Sequence, residues 1–297
     1  MAGAGIFAND GGGNFVLPTE TQADNFRTGG SLRGIFSFLA ELGGEDMILR
    51  VENLAVAYGG AEIVRGVNFS VGRGEILVIA GESGSGKSTI LKAIGGLGGE
   101  VTGGRIFFDG REITNLTGGD RRKISGEEIG VIFQNAGASF CPIRRIGDQI
   151  FESVRAHRNW SRAEFETRAK IIMKNINLDE SALNDYPYRL SGGMAQRAGI
   201  LAATILEPKL ILADEPTSAL DTITQASVVR ELLNLRDRHG ISIVMVTHNL
   251  GVAWKMADRI LILRKGQQVE LGTRDKIFTA PQEIYTQELI AAVPRVA

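Results

Sequence analysis

From Met47 onward the chain alternates between short apolar runs and longer amphipathic ones. "ILRVENLAVAY" (48–58) and "GVNFSVGRG" (66–74) place apolar residues at every second position, the period of a strand with one buried face. "EILVIAG" (75–81) is apolar after Glu75, as a strand buried on both faces reads, and it runs into a glycine-rich turn and a helix. "GGRIFFDGREI" (103–113) predicts a further strand and turn. Between about 138 and 190 the spacing changes to threes and fours, predicting helices in "IGDQIFESVRAH" and "SRAEFETRAKIIMKNINL". Ser161 with Glu164 forms a capping-box pattern at the start of the second. Apolar strands return at "KLILADE" (209–215) and "ISIVMVTH" (241–248), separated by the helical "TITQASVVRELLNLRDRHG". "RILILRKGQQVELG" (259–272) closes as a hairpin-like strand pair. Buried strands alternating with helices predict an α/β fold around a mainly parallel sheet, and no internal repeat is visible.

Residues 1–46 have a different texture. Glycine clusters recur without a stable period around one apolar patch, "LRGIFSFLAEL". A flexible extension is expected there, since ordering glycine-rich backbone is costly and few apolar side chains offset it.

Composition narrows the function classes. A formal net charge of −1 leaves no basic footprint for nucleic acid, and Arg121-Arg122-Lys123 and Arg144-Arg145 read as solvated faces. One cysteine, Cys141, excludes an intramolecular disulfide framework; as a lone thiol it is expected to be a packing residue. Three histidines and one cysteine make no structural zinc site. No run approaches the length of a membrane-spanning helix, and "MAGAGIFANDGGGNF" lacks the basic and apolar regions of a signal peptide. The expected protein is soluble and cytoplasmic, free to attach to a membrane protein.

Chemistry concentrates in two stretches. "GESGSGKS" matches G-x-x-x-x-G-K-[ST], with Gly81, Gly86, Lys87 and Ser88 at the defining positions. Such a loop, including Ser83, Gly84 and Ser85, turns successive backbone amides toward phosphate, and the following helix adds its N-terminus. Lys87 would reach the β- and γ-phosphates of a nucleoside triphosphate, Ser88 would ligate Mg2+, and Thr89 adds a hydroxyl. "LILADE" ends a buried strand in Asp214 and Glu215. An acid there supports the magnesium ion, and Glu215 beside it could serve as base toward water.

With those residues in place, "LSGGMAQR" (190–197) carries a resemblance to the ATP-binding subunits of ABC transporters, covering roughly residues 47–297. Ser191, Gly192 and Gly193 open a helix and offer a second phosphate-binding end; the resemblance implies that it faces the nucleotide of another subunit. It also implies that Gln134 in "VIFQN" contacts the metal and that "SALD" (218–221) crosses the dimer interface. His248 in "VMVTHN" would contact the γ-phosphate, and Tyr58 would stack on adenine. The implied fold is a RecA-like P-loop NTPase core with an antiparallel β subdomain and a helical signature subdomain (about 138–200), followed by a C-terminal element (273–297).

"ASFCPIRRIGDQI" and the terminal "APQEIYTQELIAAVP" are similar to stretches in oligopeptide, dipeptide and nickel importer ATPases, and "SGGM" is similar to one of the two ATPase types these importers pair. Cys141 stands where that family often has asparagine, and Glu283-Ile284 replace its usual His-Pro. The implied protein is an ATPase at the cytoplasmic face of the bacterial inner membrane. It would work with membrane permease subunits, a second ATPase subunit and, indirectly, a solute-binding protein. Two other classes fit parts of the sequence: a non-transport ABC ATPase acting on nucleic acid or ribosomes, and a nucleotide-binding regulatory module. A single cassette without room for a long coiled coil argues against the first, and the presence of Glu215 and His248 against the second.

Overall fold

The computed structural model describes residues 47–218 and 220–292; the extension expected over 1–46, the end of the C-terminal element and Ala219 of "SALD" lie outside them. Two sheets are stacked. The smaller is antiparallel and ordered β2-β1-β4-β5, from β1 (Met47–Tyr58), β2 (Ala61–Gly72), β4 (Glu100–Phe108) and β5 (Arg111–Glu112). The larger has six strands, ordered β10-β9-β3-β8-β7-β6: β3 (Ile76–Ala80), β6 (Ile129–Ile132), β7 (Leu210–Asp214), β8 (Ser242–Thr247), β9 (Arg259–Arg264) and β10 (Gln267–Thr273). All pairings in it are parallel except β10 on β9.

The continuous apolar runs are explained by what lies on each face of the large sheet. Leu77 and Ile79 of β3, with Leu212, Val244 and Leu261 of its neighbours, join a core shared with the antiparallel sheet. Ile76, Val78 and Ala80, with Ile211, Ile243 and Ile260, point the other way into a core shared with helices. A strand covered on both sides has no polar position to spare.

The helices are α1 (Lys87–Gly95), α2 (Gly118–Ile124), α3 (Ala136–Ser139), α4 (Ile146–Arg155), α5 (Arg162–Asn175), α6 (Gly192–Thr204), α7 (Thr222–His239), α8 (Leu250–Met256), α9 (Arg274–Thr279) and α10 (Ile284–Ala291). The capping box at the start of α5 forms in full, Ser161 accepting from the Glu164 amide while the Glu164 carboxylate accepts from the Ser161 amide. Helices α3 to α5 fall in the stretch, about 138–190, whose spacing predicts helices, and α6 follows it.

Three expectations need correction. Strand β2 begins at Ala61, five residues before the alternation in "GVNFSVGRG", because the Gly59-Gly60 turn brings Ala61 opposite Tyr58 in a hairpin. Arg121 is no solvated residue: its guanidinium donates to the carbonyls of Ile94 and Ile113 and neutralises the C-terminal end of α1. Cys141 is exposed rather than packed. Its main chain is held by Gln149, which accepts from the Cys141 amide at 2.7 Å and donates to its carbonyl at 3.1 Å.

Candidate functional site

Four parallel strands, β3, β6, β7 and β8, deliver the site residues from their carboxyl ends, the edge where open α/β sheets bind ligands. Strand β3 leads into Gly81–Thr89 and α1. Gly81 has φ +150°, and a Cβ there would sit 2.1 Å from the Leu263 carbonyl oxygen, so only glycine fits. Gly86 precedes α1 in the left-handed region (φ +99°) and supplies no side-chain cap. No acidic residue lies in the first turn of α1. The first turn of α1 thus has neither a side-chain cap nor an acid of its own, the kind of helix end that suits an anion.

Lys87 is 5% exposed and folds back over its own loop. Its amine donates to the carbonyls of Gly81 (2.9 Å) and Glu82 (2.6 Å) and to Ser85 Oγ (3.4 Å). Burial lowers its pKa, while Glu215, Asp214 and Glu82 pull it back up. The buried ammonium is thus satisfied by neutral loop oxygens, with three carboxylates near enough to favour its charged form.

Ser88 Oγ donates to Asp214 Oδ1 at 2.7 Å, joining the loop to the end of β7. Burial raises the Asp214 carboxyl, partly offset by the Ser88 hydrogen bond, and Glu215 pushes it further up. Glu215 adopts φ +45°, a left-handed conformation that costs a non-glycine residue of order 1–3 kcal/mol. The turn is pinned by the Glu215 amide donating to the Val246 carbonyl at 2.9 Å. Its carboxylate is gripped from both sides. Gln134 Nε2, just beyond β6, donates to Oε2 at 3.1 Å, and His248 Nδ1, just beyond β8, lies 2.9 Å from Oε1.

Ser88, Gln134, Asp214, Glu215 and His248 thus converge on one place, beside Lys87. Tyr58 stands apart at the end of β1, 42% exposed and packed along the Gly98-Gly99 turn. Its hairpin abuts the loop, since a Cβ at Gly86 would meet Val64 Cγ2 at 3.2 Å. Ser191–Gly193 do not join the cluster. Ser191 caps α6 by accepting from the Met194 amide, and Gly193 lies so close to α7 that a Cβ would meet Thr224 Cγ2 at 2.7 Å. Asp221 of "SALD" caps α7, accepting from the Ile223 and Thr224 amides.

Two further residues bear on this arrangement although no role was expected of either. Arg197, at the end of "LSGGMAQR", donates to buried Glu231 on α7 at 3.1 Å. Tyr285 on α10 reaches the loop at Glu82. Among the described residues no helix is long and apolar enough to cross a membrane.

A family model described as ABC transporter matches residues 64–218. The ATP-binding protein of the metal-staphylopine import system of Staphylococcus aureus is 37% identical, over 84% of this chain and 94% of its own length. The oligopeptide transport ATP-binding protein of Bacillus subtilis is 39% identical, over 83% of this chain and 72% of its own. Among solved structures, a dimeric ATP-binding cassette in a post-hydrolysis state with ADP and Pi superposes with TM-score 0.68 at 30% identity, covering 76% of this chain and 98% of that one. A Clostridium perfringens component of an ABC transporter complex gives TM-score 0.70 at 28% identity, covering 80% and 92%.

Proposed function

The chain belongs to the ABC transporter family as an ATP-hydrolysing subunit that energises import of a solute, and from that premise we propose how its residues divide the work. Tyr58 stacks on adenine. The amides of Ser83–Thr89 and the Lys87 amine hold the phosphates, Lys87 exchanging its bonds to the Gly81 and Glu82 carbonyls for phosphate oxygens. Glu215 accepts the proton of the attacking water. Gln134 and His248, which already grip that carboxylate, orient it, and His248 also stabilises charge on the transferred group.

Ser88, Gln134 and Asp214 supply oxygen donors, the set that suits a hard divalent cation such as Mg2+. The burial-raised Asp214 carboxyl fits that role, because an adjacent cation favours its ionised form. When bound, the ion would neutralise charge on the phosphates.

The separation of Ser191, Gly192 and Gly193 from the Glu215 cluster supports a two-subunit site, in which this end of one subunit covers the γ-phosphate held by the other. We assign the chain a second, different ATPase subunit as partner, with permease subunits docked near residues 135–150, where Ile143 is 82% exposed. The complex sits at the cytoplasmic face of the bacterial inner membrane. The catalytic domain spans 47–297, with residues 1–46 as an appendage. The solute is a peptide or a metal complex, in keeping with relatives named for oligopeptide transport, dipeptide transport and metal-staphylopine import.

The observation that carries the reading is Glu215 held between Gln134 and His248, next to the Ser88–Asp214 pair. The test is reconstitution with the permease subunits in liposomes, reading MgATP-dependent phosphate release with and without solute-loaded binding protein. Release that rises with loaded binding protein supports the assignment; equal release without permease overturns it.

A further inference from the structure

The nucleotide motifs end at His248, yet a residue much later in the chain touches the phosphate-binding loop. The hydroxyl of Tyr285, in the first turn of α10, accepts from the Glu82 amide at 3.4 Å. The other end of the same peptide plane, the Gly81 carbonyl, accepts from Lys87 Nζ at 2.9 Å. In a trans peptide the carbonyl and amide point in opposite directions. Lys87 and Tyr285 therefore hold one planar unit by its two edges, one from the ligand side and one from behind.

This unit needs holding. It begins at Gly81 and runs into Gly84 and Gly86, all with positive φ, and such glycines lose much conformational freedom when ordered. A second support comes from the turn between β9 and β10, where the Gly266 amide donates to the Ser85 carbonyl at 2.9 Å. Tyr285 is itself well fixed. It is 7% exposed, and the Arg264 guanidinium lies 4.4 Å from its ring centroid. Burial and the Glu82 carboxylate raise its pKa, so the phenol stays neutral and its hydroxyl intact. Behind it, the Glu270 carboxylate accepts from the Gln282 amide (3.0 Å) and the Glu283 amide (3.3 Å), fixing the entry to α10, while Thr286 and Ile290 are buried.

The geometry points to Tyr285 as a positioning residue through which α10 braces the phosphate-binding loop and strengthens nucleotide binding. This rests on the reading that Gly81–Thr89 holds the phosphates. A brace that pre-orders the loop raises affinity by reducing what binding must order, and linkage makes the effect reciprocal: nucleotide should steady α10.

The test uses the full chain and MgADP. Tyr285→Phe keeps the ring on Arg264 and removes only the hydroxyl. Its melting midpoint without nucleotide should stay within about 2 °C of wild type, since one long hydrogen bond is lost. Its MgADP affinity by calorimetry should fall roughly 3- to 10-fold, the loss expected for one hydrogen bond. Hydrogen exchange gives a readout that a purely structural tyrosine would not move: MgADP should slow exchange across Ile284–Ala291 in wild type, and the slowing should disappear in Tyr285→Phe. Wild-type affinity in Tyr285→Phe, or wild-type α10 amides indifferent to MgADP, would overturn the proposal. Failure of wild type to bind MgADP at all would instead strike at the phosphate-site assignment itself.

Discussion

Replacing Arg197 with methionine strips a buried carboxylate of its cation. The Glu231 side chain is 2% exposed and accepts from Arg197 Nε at 3.1 Å and Ser227 Oγ at 2.9 Å, while its other oxygen is buried without a partner. Burial pushes the Glu231 carboxyl above its ordinary value, and Arg197 opposes that shift. Breaking one side of a buried pair costs about 3–5 kcal/mol. At about 2–4 °C per kcal/mol for a domain of this size, Arg197→Met should melt roughly 6–20 °C below wild type at pH 7. The double variant Arg197→Met/Glu231→Leu should recover most of the loss, because an apolar pair of similar volume replaces the ions. The pH dependence has a definite sign. A raised carboxyl leaves the folded state holding more protons than the unfolded chain, so stability is fully present below the ordinary value of 4.5 and falls as pH rises through the raised one. Loss of Arg197 widens that window, and the gap to wild type should shrink on acidification from pH 7 to 5. Melting followed by circular dichroism at both pH values is the assay. A variant that melts with wild type at pH 7, or a gap that grows at pH 5, would show that the pair does not tie α6 to α7.

Ser88→Ala removes a hydroxyl donor to Asp214 and a candidate Mg2+ ligand; ATP affinity measured with Mg2+ should fall roughly tenfold or more, while affinity in EDTA changes little. Native mass spectrometry of the purified transporter should show one copy of this chain beside a different ATPase subunit, and two copies with no second ATPase would refute the pairing. A chain beginning at Met47 should bind MgATP and turn over in the assembled complex as the full chain does. A large loss of either would place residues 1–46 inside the folded core.

The large sheet is legible in the sequence because burial on both faces leaves no polar residue in Ile76–Ala80 or in Leu210–Ala213, so an apolar run bounded by turns has one economical reading. The phosphate loop is legible because the glycines needed to turn its amides sit at set spacings. Gln134 and His248 are different: each sits among ordinary polar residues after a short strand, and only the resemblance points to them, since nothing local says that both will close on Glu215. Glu231 left a visible signal, a charge among Val228, Leu232 and Leu235 on the buried face of α7, where an acid needs a partner. Cys141 and Arg121 read wrongly because exposure is decided by what packs alongside: a glutamine-held loop in one case, the carbonyl end of α1 in the other. Tyr285 gave no sign, as its partner is a backbone amide some two hundred positions away.

The role of Glu215 is tested most directly by single-site replacement in the assembled transporter. Glu215→Gln keeps the size and hydrogen-bonding reach of the side chain toward Gln134 and His248 but cannot take up water's proton. MgATP binding should stay close to wild type, turnover should fall roughly 10²- to 10⁴-fold, and an ATP-bound closed dimer should accumulate. Phosphate release at the wild-type rate would contradict that role.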